Sequence, residues 1–118
     1  MAIDQNELFD KLGAGIEQLE QLAGSHPVTS VERQRLLAKA DALNTSYHYA
    51  LDTLYGVESD VAKARGVETL RTLIKTDKID ATIAMGLYKP NERETLGYAK
   101  ALGTYEGLNL ALDYTQVP

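Results

Sequence analysis

The chain has no cysteine, no tryptophan, a single phenylalanine and only three prolines in 118 residues. Without cysteine there is no disulfide, no thiolate metal site and no thiol nucleophile, a composition that fits a reducing compartment. With so few large aromatics, the core has to be built from Leu, Ile, Val and Ala, side chains suited to helix packing. The prolines stand at positions 27, 90 and 118 and leave two long intervals uninterrupted. A sandwich or barrel of short strands needs turn signals far more often, so an all-β fold is disfavoured. Nothing approaches the roughly 20 apolar residues of a membrane-spanning helix, and Met1-Ala2-Ile3-Asp4-Gln5-Asn6-Glu7 lacks the basic start and apolar run of a signal peptide. The expected location is the cytoplasm, or a particle assembled there, with no membrane partner.

Clusters of one charge are missing too. Twelve Lys and Arg are spread among seventeen Asp and Glu, for a net charge of -5. Nucleic acid and anionic lipid are held by clustered cations that displace counterions, so neither is an expected partner. In the central region Arg33, Arg35, Lys39, Lys63, Arg65, Arg71, Lys75 and Lys78 are interleaved with Glu32, Asp41, Glu58, Asp60, Glu68 and Asp77, the pattern of a solvated helical face. A hydrophobic share of 44% with 25% charged residues is ordinary globular usage, and the length suits one core. Residues 1–118 are therefore expected to form one helical domain.

Helical punctuation is what the chain does contain. Asp4, with Glu7 three residues on, can cap a first helix over residues 4–23, whose apolar stripe is Phe9, Leu12, Ile16, Leu19 and Ala23, widened by Leu8 and Leu22. Gly24-Ser25-His26-Pro27 stops it, and Thr29 or Ser30 opens the next. From there Leu36, Ala40, Leu43, Tyr47, Ala50, Leu54, Val57, Val61 and Ala64 keep three-four spacing, the strongest periodic signal in the chain. Two readings stay open. Either one helix runs from about 30 to 75, roughly 70 Å at 1.5 Å per residue, or Gly56 breaks it and Glu58-Ser59-Asp60 starts a new helix. The first makes an extended hairpin and the second a bundle, so the expected fold is all-α, with four to five amphipathic helices and a long central helical region.

A short helix carrying Ile79, Ile83, Met85 and Leu87 is expected after Thr76-Asp77, ending at Tyr88-Lys89-Pro90. Asn91, with Glu94 three residues on, is expected to cap a last helix through Leu96, Ala99, Leu102, Leu108, Leu110 and Leu112 to about Tyr114. On it Tyr98, Ala101, Tyr105, Leu108 and Leu112 make a second stripe, more apolar circumference than a surface helix needs. Similar strings at 15–22, 66–73 and 103–108 recur at unequal spacing and do not constitute a repeat.

Catalytic signals are few. His48 and Asp52 stand four apart and are neighbours on a helix, but a metal wants three or four ligands and the only other histidine, His26, lies in a turn. There is no Glu-x-x-His pair of a helical di-iron bundle, no phosphate loop, no serine elbow and no calcium loop. The reading is a non-enzyme with no catalytic residue, no cofactor, no metal and no evident small-molecule substrate. Seven tyrosines exceed what one small helical core can bury, and tyrosine is enriched at interfaces because its ring is apolar while its hydroxyl tolerates water. Tyr98, Tyr105, Leu108, Leu112, Tyr55 and Tyr88 are the expected protein-contact residues, supported by the seam over residues 47–64.

The strings Ala64-Arg65-Gly66-Val67-Glu68-Thr69-Leu70-Arg71-Thr72-Leu73-Ile74 and Gly103-Thr104-Tyr105-Glu106-Gly107-Leu108-Asn109-Leu110-Ala111-Leu112 resemble the helical ends of short accessory proteins from tailed-bacteriophage virion gene clusters. The resemblance covers about a fifth of the chain and supplies no motif from which a functional residue carries over. It implies a virion component, near the portal or tail, present in several copies. The expected function is a homo-oligomeric structural or assembly protein that contacts its own kind and other subunits. The alternative is a small helical regulator or inhibitor that binds one host protein through the same faces.

Overall fold

The computed structural model describes residues 4–116 and contains four α-helices joined by short connections: α1 (Gln5–Gly24), α2 (Val31–Leu54), α3 (Asp60–Gly86) and α4 (Leu96–Tyr114). No strand occurs among the described residues. The all-α bundle expected from periodicity is what forms, and of the two readings for the central region the broken one holds. Gly56 adopts φ 74°, a left-handed conformation that residues with a Cβ resist, and the chain turns there. Ser59 then restarts the helix by accepting a hydrogen bond from the Ala62 amide, as Ser30 does from Arg33 for α2 and Asp4 from Glu7 for α1.

Two expectations fail at the other end of the chain. No helix begins near Thr76: α3 runs through it unbroken to Gly86, because nothing in Thr76-Asp77-Lys78 forbids helical dihedrals and the backbone ladder continues. Asn91 does not cap the last helix. Pro90–Glu92 instead forms a single 3-10 turn, closed by the Glu92 carboxylate on the Lys89 amide (2.9 Å), and Thr95 caps α4 by accepting from the Tyr98 amide (3.2 Å). Proline at the first position of that turn suits its fixed φ, and the threonine hydroxyl then satisfies an amide the new helix leaves free.

At the centre α2 and α4 pack against each other over their length, flanked by α1 and α3. Small residues four apart make this contact possible. Ala38, Ala42, Ser46 and Ala50 form a buried row on α2, and Ala99, Gly103, Gly107 and Ala111 form one on α4. A Cβ at Gly107 would lie 2.5 Å from the Lys39 carbonyl oxygen and 2.6 Å from the Ala42 Cβ, and one at Gly103 would collide with the Arg35 carbonyl. The two backbones thus approach as closely as glycine permits. Above and below this seam Leu8, Leu12, Leu43, Leu54, Leu70, Ile74 and Leu108 are fully buried and form one continuous core.

Polar contacts pin the ends. The Gln5 amide donates to the Leu54 and Val57 carbonyls (2.6 and 2.8 Å), closing the C-terminus of α2 from α1. The Arg71 guanidinium donates to the Leu112 carbonyl (3.1 Å) and the Thr115 hydroxyl (2.6 Å), placing a cation at the negative end of the α4 dipole. Arg35 grips both carboxylate oxygens of Glu106 across the α2–α4 seam at 2.5 and 2.9 Å, and holds Glu32 at 3.0 Å. The bundle is elongated, 49 × 28 × 23 Å.

Candidate interaction face

The helix α3 shows how a run of aliphatic residues ends up outside. Gly66, Leu70, Ile74 and Ala81 define its buried face, and Gly66 is pressed so closely on α2 that an added Cβ would lie 2.5 Å from the Thr53 carbonyl oxygen. That contact, with Leu70 and Ile74, sets the rotation of the whole helix. Ile79, Ile83 and Leu87, spaced four apart on one face, are carried to the side away from the core. They are 61%, 59% and 78% exposed. The sequence pattern places Ile79, Ile83, Met85 and Leu87 on a separate short amphipathic helix; in the continuous α3, Ile79, Ile83 and Leu87 face outward.

Beside this ridge, α2, α3 and α4 enclose a groove of about 430 Å³. Its floor is made of short side chains, Ala42, Ala81, Ala84 and Ala101, with Leu108 below, and its rim carries Asp77, Asp80, Lys100, Thr45 and Thr104. Tyr88 closes one end, its hydroxyl against the α-carbon side of Gly97, where any larger residue would displace it. Tyr98 meets the edge of Tyr88 with ring centroids 5.8 Å apart. The Tyr49 hydroxyl donates to Asp77 at 2.7 Å, and this bond is the main reason its ionisation is pushed up from the usual phenol value, with burial and the carboxylate charge adding to it. Lys78 lies 5.4 Å from the centre of the Tyr105 ring. Across the seam, the Arg35 hydrogen bonds hold the Glu106 carboxyl below the usual range against the opposing effect of burial.

The expected contact residues therefore separate. Tyr88, Tyr98 and Tyr105 lie half-buried on α4 and the α3–α4 connection, and Tyr88 lines the groove. Leu108 and Leu112 are 1% and 8% exposed and belong to the chain's own core, where Leu108 packs beneath the groove and is closed to a partner. Their stripe on α4 is used internally because α3 covers it. Tyr55 is 77% exposed, but it follows the end of α2, ten residues and roughly 15 Å beyond Thr45. The expected seam over 47–64 ends with α2: Ala50 and Leu54 are buried, whereas Val61, on a new helix with a new phase, is 66% exposed. His48 and Asp52 are both exposed, and among the described residues no three His, Asp or Glu are grouped to hold a metal.

Among the described residues, no helix is long and apolar enough to cross a membrane. Comparison with known proteins returned no matching family, no matching curated protein and no matching solved structure. Two features went unread in the sequence. The small-residue rows were visible as Ala38, Ala42, Ser46, Ala50 and Ala99, Gly103, Gly107, Ala111, each at four-residue spacing. The outward turn of Ile79, Ile83 and Leu87 had no local signal, because it follows from the rotation imposed by Gly66, Leu70 and Ile74.

Proposed function

We propose that this chain is a non-enzymatic helical assembly protein that self-associates, in the setting that its resemblance to tailed-phage accessory proteins implies, a virion. The observation carrying this reading is the ridge Ile79, Ile83 and Leu87, three large aliphatic side chains in a row, each more than half exposed, along the last turns of α3 and its C-cap. Full burial of one such side chain is worth about 1.5–3 kcal/mol, so covering the ridge at its observed exposures supplies roughly 3–6 kcal/mol per copy. That gain is of the order of the entropy lost on association, which makes assembly dependent on concentration. Light scattering of the full chain over a concentration series is the test. Growth of mass with concentration, abolished by Ile83→Asp, is expected; a monomer at every concentration refutes self-association.

A second reading, a small regulator that holds one foreign protein, is favoured by the groove between α2, α3 and α4. Its 430 Å³, apolar floor and few polar rim groups suit an inserted side chain or short peptide. Copurification of one foreign protein at fixed stoichiometry, lost on Ala84→Trp, with no self-association, selects this reading over the first.

A further inference from the structure

We infer that copies of this chain join head to tail, the α3 ridge of one copy lying in the groove between α1 and α2 of the next. This rests on the self-association proposed above and specifies its geometry. The receiving groove, about 440 Å³, is distinct from the one beside α3. Ile16 and Tyr47 form its apolar floor, Gly13 leaves one end open, and Glu17 and Glu20 stand on its wall. It follows α1 from Gly13 to Gln21, eight residues or about 12 Å, the same length as the ridge from Ile79 to Leu87.

Charge decides between this arrangement and a symmetric one. The α1 segment with its cap carries five carboxylates against one cation, and that cation, Lys11, is already paired with Glu7 at 3.1 Å. On α3 five cations face four carboxylates. Lys75 is exposed one turn before Ile79 and, among the described residues, makes no ion pair; neither do Glu17 and Glu20. Pairing α1 with α1 would oppose acid to acid, and pairing α3 with α3, even with each ridge seated in the partner's groove between α2, α3 and α4, would leave Glu17 and Glu20 of both copies without a cation. Setting α3 on α1 joins ridge to groove and Lys75 to Glu17 and Glu20. One rigid copy cannot do this to itself, because the groove belongs to α1 and α2 while the ridge faces away from the core on α3. A contact between two different surfaces leaves each copy with one surface unused, so it propagates into a ring or a filament.

The experiment uses two full-length variants, each blocked on one surface. Ile79→Asp/Ile83→Asp keeps the groove, and Glu17→Lys/Glu20→Lys keeps the ridge; all four sites are exposed, and circular dichroism confirms that both variants fold. Light scattering is expected to give masses above the dimer for the wild type, monomers for each variant alone, and a 1:1 dimer that grows no further when the two are mixed. Adding Lys75→Glu to the Glu17→Lys/Glu20→Lys chain is expected to recover self-association to within about tenfold of wild type in midpoint concentration. If the wild type associates but Glu17→Lys/Glu20→Lys associates equally well, or the mixed variants stay apart, the head-to-tail geometry is wrong while self-association stands. A wild type that is monomeric throughout overturns both.

Discussion

Replacing Gly103 or Gly107 by alanine adds one carbon at the place where two helix backbones touch. In an open helix interior the change from glycine to alanine stabilises by about 1 kcal/mol. Gly13 supplies that reference within the same molecule, since an added Cβ there meets nothing within 4 Å. At Gly107 the new carbon meets the Lys39 carbonyl oxygen at 2.5 Å and the Ala42 Cβ at 2.6 Å, both well inside normal contact, and at Gly103 it meets the Arg35 carbonyl. Backbone cannot swing aside as a side chain can, so α2 and α4 must separate along the seam. Overpacking costs typically 1–3 kcal/mol, and a backbone obstacle puts these sites at the upper end. After the helix-propensity gain the net expectation is a loss of about 1–2 kcal/mol at each site, against a gain of about 1 kcal/mol for Gly13→Ala. Urea unfolding followed by circular dichroism, at one low protein concentration, reads all three. In thermal melts each kcal/mol appears as a shift of about 4 °C for a domain of this size. Stability at or above wild type for Gly103→Ala and Gly107→Ala would show that the seam is not packed backbone to backbone.

Three further outcomes follow from the polar contacts. Glu106→Gln is expected to cost about 1 kcal/mol at neutral pH by breaking the bidentate pair with Arg35. Because the folded carboxyl titrates below its unfolded value, its contribution is present above the ordinary Glu pKa and vanishes as pH falls through the folded one; chemical unfolding between pH 6 and 3 should converge for the two proteins. Tyr49→Phe is expected to cost about 1 kcal/mol through the lost bond to Asp77. Since that bond raises the phenol pKa, the wild type should lose its advantage above about pH 10, where the unfolded phenol ionises first; a stability difference unchanged up to pH 11 contradicts this. Ser59→Ala, removing the α3 cap, is expected to lower stability by about 1 kcal/mol, whereas Asn91→Ala, at a position that caps nothing, should leave the melting temperature within error.

Local chemistry accounts for what was legible beforehand. Asp4, Ser30 and Ser59 bind amides within three residues of themselves, so helix starts are written in short strings, whereas the sequence leaves the break at Gly56 open against a continuous helix and the fold takes the break. The periodic run from Leu36 to Leu54 faces the core as its spacing requires, since one helix in one phase holds all of it. The cap at Thr95 was missed because Asn91 and Thr95 both have the right side chain. Proline at 90 suits a 3-10 turn as well as a helix start, and in the fold the turn forms and the helix starts at the Thr95 cap.

The amino-acid order by itself determined an all-α chain without cysteine chemistry, the caps that start its first two helices and the inward placement of the stripe from Leu36 to Leu54, because those properties depend on neighbours within a few residues. Tertiary structure alone decided which stripes would be covered. Leu108 and Leu112 went inside because α3 lies over them, and Ile79, Ile83 and Leu87 went outside because Gly66, pressed on the Thr53 carbonyl, fixes the rotation of α3. A helix has one rotational setting for its whole length, so a contact at one end dictates exposure five turns away, beyond the reach of any local pattern.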